Sequence, residues 1–237
     1  MERSPSFRLR DMFYALTHIS VLWRRLPTRR VYLKQVYFSG LQSLPLVLLV
    51  GAAVAGIIIG QLRNFGESPK ESIDILLTIT LDELAPLITA FLIAARSAPA
   101  MASELATMQA NGEVRLLARL GVPPLHYLVV PRVVGMSTGS LLLSIYFGFA
   151  ATVAGSAFAA GTHMLDALWL VAESLEAIVV AMCMIKSFLF GTAVAVIACY
   201  TGLSARGSFT EVPIAASRAV VRSLALVFLI DLALVGI

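Results

Sequence analysis

The sequence predicts an all-α membrane protein: an N-terminal amphipathic helix in the bilayer interface, five transmembrane helices, and a cytoplasmic helix between the second and third. Three observations predict this. Of 237 residues, 59% are hydrophobic and 14% charged, with a mean hydropathy of +0.88, whereas soluble domains carry roughly 45–50% apolar and about 25% charged residues. Five stretches approach or exceed the roughly 20 apolar residues that a helical span needs. Eight of the 18 Lys and Arg residues fall in the first 40 positions, ahead of the first apolar run, as in a chain with a basic cytoplasmic end. The apolar content excludes a disordered chain, and two cysteines exclude a disulfide scaffold. A pI near 9.3 does not make this a nucleic-acid module, because the basic residues gather outside the apolar runs.

Residues 1–40 form the first unit. Leu9, Met12, Leu16, Ile19, Trp23 and Leu26 recur at spacings of three and four. They line one face of a helix over residues 7–26, with Arg10, Asp11, Thr17, His18, Arg24 and Arg25 mostly elsewhere. Such a helix lies in the interface with its arginines among headgroups; packing on another cytoplasmic surface would use the same stripe. Pro27 is expected to end it. Arginines interrupt the segment throughout, which is unlike a signal peptide.

Residues 41–237 form the membrane unit. The spans are expected at about 44–61, 73–95, 125–160, 170–200 and 214–237, the third long enough to be tilted or broken. With the N-terminus cytoplasmic, residues 1–43, 96–132 and 201–222 share one side and hold fifteen Lys and Arg residues. The other side holds Arg63 and Lys70, and Lys186 lies within the fourth span. This asymmetry places the N-terminus in the cytoplasm and the C-terminus outside.

Residues 97–124 are too long for a tight turn and too polar to span. Pro99 opens a helical pattern, and Asn111-Gly112 interrupts it. Asn111 is expected to cap a second short helix that Gly121 and Pro123-Pro124 stop. The resulting helical segment, about 100–120, suits docking of a soluble partner.

Ionisable side chains within spans are costly and tend to pair or line a cavity. They are Asp82, Glu83, Glu173, Glu176, Lys186 and Asp231. By helical rise, Glu83, Lys186 and Asp231 lie about 18, 21 and 25 Å from the cytoplasmic ends of their spans. A Lys186–Asp231 or Lys186–Glu83 pair would relieve the burial.

Signatures of catalysis are sparse. Gly135-Met136-Ser137 with His163 lacks the surroundings of an intramembrane protease, and Gly135, Ser137, Gly139, Ser140 and Ser144 better fit close helix packing. His18, His126 and His163 form no metal-ligand pattern. Cys183 and Cys199 are about 24 Å apart along one helix, too far to bridge. No P-loop is present.

The stretch from Glu83 to Gly135 resembles the central motif of the MlaE-type permeases, the membrane subunits of Mla/Mce lipid-transport ABC systems. The matching residues are Pro86, Thr89, Ala90, Arg96, Glu104, Leu105, Met108, Glu113, Gly121, Pro124, Pro131 and Arg132. A second match runs through Ile185-Lys186-Ser187, Phe190-Gly191, Cys199, Gly202, Arg218-Ala219-Val220-Val221, Ser223 and Asp231. Ala95 and Ala106 stand where the family has glycine, Pro124 follows Pro123 rather than an aspartate, and 208–213 replaces a glycine-rich segment.

The resemblance implies a permease that works as two copies enclosing a lipid cavity. The 100–120 segment would be a coupling helix for a cytoplasmic ABC ATPase, with Arg96, Glu104, Met108 and Glu113 as contacts, and Glu83, Lys186 and Asp231 would line the cavity or form a buried polar network. Further implied partners are a periplasmic Mce-domain protein and a small STAS-type cytoplasmic subunit. The cargo would be membrane lipid, by family default phospholipid. No cofactor is expected on this chain; ATP and Mg would sit on the ATPase. The expected location is a bacterial inner membrane. A lipid-modifying enzyme would need Asp or His clusters that are not seen, and an ATPase-independent transporter or scaffold is the remaining alternative.

Overall fold

Within hydrocarbon a backbone N–H or C=O must find its partner inside its own segment, so apolar runs of this length become helices. The computed structural model describes residues 26–64, 69–160, 176–205 and 207–235, all helices and short turns with no strand among them. The elements are α1 (Leu26–Ser39), a tight turn at Leu41–Ser43, α2 (Leu44–Asn64), α3 (Pro69–Ile79), a π-helical turn at Thr80–Leu84, α4 (Ala85–Ala110), α5 (Glu113–Arg119), a second π-helical turn at Leu125–Val129, α6 (Val130–Ala160), α7 (Ala177–Leu203) and α8 (Glu211–Val235). Five helical stretches are long and apolar enough to cross a membrane. This is a multi-pass membrane protein.

α4 packs against α7 and α8, α6 against α2 and α7, and α1 lies along α6. Lipid tails are as apolar as leucine, so close approach of small residues holds such helices together. The small residues of α6 do this on two faces. A Cβ on Gly135 would meet Gln35 Cβ of α1 at 2.8 Å, and one on Gly191 of α7 would meet Ser140 Cβ at 2.6 Å. Between those helices Ser137 Oγ hydrogen-bonds Thr192 Oγ1 at 2.8 Å. Leu49, Ile57, Phe149, Ile185, Leu229 and Leu232 stay exposed, as lipid-facing side chains do.

Several expected boundaries move. The stripe from Leu9 to Trp23 lies outside the described residues, as do Glu173 and His163. Pro27 sits in the first turn of α1, where its fixed φ fits and its missing N–H is no loss; residues 7–25 of the helix it was expected to end lie outside the described residues. The fourth span is helical from Ala177, after extended backbone at Glu176. The segment 100–120 is in two pieces, as the Asn111-Gly112 interruption implied, but their ends differ from those expected. Ala100–Ala110 continues the helix of the second span through Pro99, which therefore opens nothing, and α5 stands alone after a turn. Asn111 closes α4, and Gly112 occupies the cap of α5 at φ 75°. Only glycine adopts that backbone freely, so the asparagine is displaced by one position.

Candidate functional site: charged groups inside the spans and at their ends

Lys186 is buried on α7, about 14 Å by helical rise from the start of that helix. Its ammonium has three N–H donors, and three acceptors meet it: Asp82 O at 2.9 Å, Glu83 Oε1 at 2.9 Å and Asp82 Oδ1 at 3.3 Å. All three come from the π-helical turn at Thr80–Leu84. The local sequence explains the backbone acceptor. In an α-helix Asp82 O would accept from the N–H of residue 86, and Pro86 has none. Lysine replaces the missing donor and takes both carboxylates as it does so.

Of the two pairings the sequence left open, Lys186 makes the one with Glu83 and not the one with Asp231. Asp231 lies on α8, which packs against both α4 and α7. Its Oδ1 is buried without a hydrogen-bond partner among the described residues. The sequence counts Asp82 among the ionisable residues of the spans but does not foretell its pairing with Lys186. The signal for it was Pro86 four residues later, which orphans the Asp82 carbonyl. The Asp82 and Glu83 side chains are 43% and 40% exposed beside a lysine at 8%, so the cluster opens outward from the single chain. Three carboxylates and one ammonium in an apolar bundle form a polar surface suited to a headgroup or another copy's polar side chains.

A second charged group lies at the other end of α4. Arg132 on α6 is 5% exposed. Its guanidinium donates to Leu128 O at 3.0 Å and pairs with Glu104 Oε1 at 3.0 Å. Glu104 is thus tied to a neighbouring helix while half of its side chain stays exposed. Arg96 donates to Ser43 Oγ and stacks over the Phe38 ring at 5.3 Å, linking α4 to α1 and the turn after it. Met108 is half-buried, and Glu113 is exposed, accepting from Asn111 Nδ2 at 2.9 Å. The structure therefore ties Arg96 to α1 and the turn after it, ties Glu104 to α6, and leaves Glu113 at the outer tip. Gln109 Nε2 donates to Leu203 O at 2.8 Å, satisfying a carbonyl at the end of α7. Cys183 and Cys199 are buried and unbridged.

The family model for "Permease MlaE" matches residues 32–237. The chain belongs to the MlaE permease family. Among its relatives, a probable ABC transporter permease protein of Synechocystis is 30% identical over 213 residues, covering 85% of this chain and 79% of that protein. A probable ABC transporter permease protein of Rickettsia conorii is also 30% identical, covering 83% of this chain and 78% of its own length. Protein TRIGALACTOSYLDIACYLGLYCEROL 1, chloroplastic, of Arabidopsis thaliana is 30% identical over 221 residues; these are 85% of this chain but only 59% of that protein. Both charged groups of this MlaE permease fall inside the matched region, whereas the whole amphipathic stripe precedes it.

Proposed function

We propose that this chain is the transmembrane subunit of an ABC-type lipid transporter. The observation that carries the proposal is the Lys186–Asp82–Glu83 cluster with the Asp231 oxygen that has no partner among the described residues, set among apolar helices of an MlaE permease. A permease for wholly apolar cargo has no use for three carboxylates and an ammonium at this depth. Membrane lipid, with a polar head and apolar tails, uses both the cluster and its apolar surroundings. Two copies would enclose the cargo between their open sides, where Asp82 and Glu83 are exposed. The fatty tails would lie along α7 and α8, and the headgroup would exchange hydrogen bonds with the cluster. Phospholipid is the cargo proposed.

ATP hydrolysis belongs on a separate cytoplasmic ATPase, as the names of the ABC permease relatives support. The ATPase would bind the end of the bundle formed by Ala100–Ala110 and α5, where Glu113, Arg115, Leu116 and Leu120 are exposed. Exposed apolar side chains flanked by charges suit an interface with a protein. An Mce-domain protein would receive or deliver lipid on the opposite side, with a small STAS-type subunit on the ATPase. The N-terminus would lie in the cytoplasm and the C-terminus in the periplasm of a bacterial inner membrane.

The test is a mild-detergent pull-down of the tagged chain from native membranes, with mass spectrometry of proteins and lipids. Co-purification of an ATPase, an Mce-domain protein and retained phospholipid is the expected result. Recovery of the permease with neither partner overturns the ABC reading, and recovery of the complex without lipid overturns the cargo.

A further inference from the structure

A cavity of about 230 Å³ lies between α1, α4 and α6, far along α4 from the Lys186 cluster. Its lining is chemically divided. Phe38, Val31 and Met101 supply an apolar wall, while Lys34, Ser97 and Arg132 supply donors. Ser97 is 1% exposed, and its hydroxyl has no hydrogen-bond partner among the described residues. A buried hydroxyl left unsatisfied costs about 1–3 kcal/mol, so such a group at a cavity wall points to a ligand that completes it. Arg132 is 5% exposed and spends one arm on Leu128 O and another on Glu104. A guanidinium has five N–H donors, so donors remain. Lys34 is exposed at the mouth and has no ion partner among the described residues. Among the described residues Glu104 is the one carboxylate in the wall, and the two cations outweigh it.

We propose that this cavity takes the phosphate group of a membrane lipid, at a site separate from the Lys186 cluster. Lys34 and Arg132 bind the phosphate oxygens, and Ser97 donates its hydroxyl. The apolar wall receives the first methylenes of the lipid. Leu33 and Tyr37, on the neighbouring face of α1, are 53% and 61% exposed, and α1 leads directly into the first span. Lipid tails leaving the cavity therefore meet apolar surface. The bound lipid would brace α1 against α4 and α6, the contact that Gly135 and Arg96 make possible. This inference does not depend on the transport reading.

The test places a photo-reactive benzophenone amino acid at Phe38 of the full-length chain, reconstituted in phosphatidylglycerol vesicles. After illumination, mass spectrometry reads the adduct. A phosphatidylglycerol adduct is expected, and Lys34→Glu should lower its yield about tenfold, the loss of one charge-assisted contact. Ser97→Ala should lower the yield while leaving the melting temperature unchanged or raised, because no protein partner is lost. Tracer diacylglycerol, which lacks the phosphate, should not cross-link. Equal labelling by diacylglycerol, or full labelling in Lys34→Glu, overturns the proposal. Displacement of the adduct by millimolar inorganic phosphate would assign the site to soluble phosphate and overturn the lipid source.

Discussion

Lys186 Nζ donates to the backbone carbonyl of Asp82 at 2.9 Å, the acceptor whose α-helical partner Pro86 removes. The proline and the lysine are a hundred positions apart, yet each accounts for the other. Proline in a span is tolerated where a neighbouring helix satisfies the freed carbonyl. A lysine in a span is tolerated where it finds acceptors.

Removing the ammonium therefore takes its donor from a backbone carbonyl and from two carboxylates. Lys186→Met should destabilise the purified protein by about 1–3 kcal/mol, read as a lower melting temperature in detergent. Lys186→Arg should retain most of the stability. Combining Lys186→Met with Glu83→Gln should be less than additive, because the two share one contact. Full additivity would show that the pair contributes nothing.

The contact between α6 and α7 has a steric test. Gly191→Ala places a Cβ at 2.6 Å from Ser140 Cβ and 3.0 Å from Ser137 Cα. Overpacking of this kind costs about 1–3 kcal/mol. Adding Ser140→Gly removes the nearer clash and should restore part of the melting temperature. A single Gly191→Ala as stable as the parent would mean that these helices do not approach so closely.

Glu104 serves Arg132 within the chain and is proposed to serve the ATPase outside it. The two roles separate under charge reversal. Glu104→Lys alone sets a second cation beside the buried Arg132 guanidinium and should lower both stability and ATPase recovery. The double variant Glu104→Lys with Arg132→Glu should recover stability but not ATPase association. Recovery of both would confine Glu104 to the internal pair.

Orientation is testable with single cysteines. Cys183 and Cys199 are buried, so an impermeant maleimide should ignore them. Arg115→Cys should react only when the cytoplasmic face is open to the reagent, and Glu176→Cys should react in intact spheroplasts. The reverse pattern would invert the topology derived from the basic loops.

The sequence made some elements readable and hid others for physical reasons. Spans were visible because apolar runs have no alternative to helix in hydrocarbon, and the small residues of α6 announced close packing before any partner was known. The pair of Glu83 and Lys186 was among the choices, since depth along each span could be counted. The role of Asp82 was missed because it depends on what Pro86 does to a backbone atom, not on side-chain charge. The division of 100–120 was misplaced because Pro99 can sit inside a helix, and because Gly112 outcompetes Asn111 for a left-handed cap. The link between Glu104 and Arg132 joins different helices, which spacing along the chain does not reveal.

Both π-helical turns end two residues before a proline, at Pro86 and at Pro131. A π-helical turn holds one residue more than the α-helix around it, and one residue turns a helix by about 100°. Each wide turn thus works as a phase shifter, setting the azimuth of one half of a span independently of the other. Deleting one residue from Thr80–Leu84 would leave a well-bonded α-helix of nearly the same length. It would also swing Asp82 and Glu83 away from Lys186, or else everything from Arg96 to Glu104 away from α1. These two spans should therefore tolerate substitutions far more readily than a change of length by one residue.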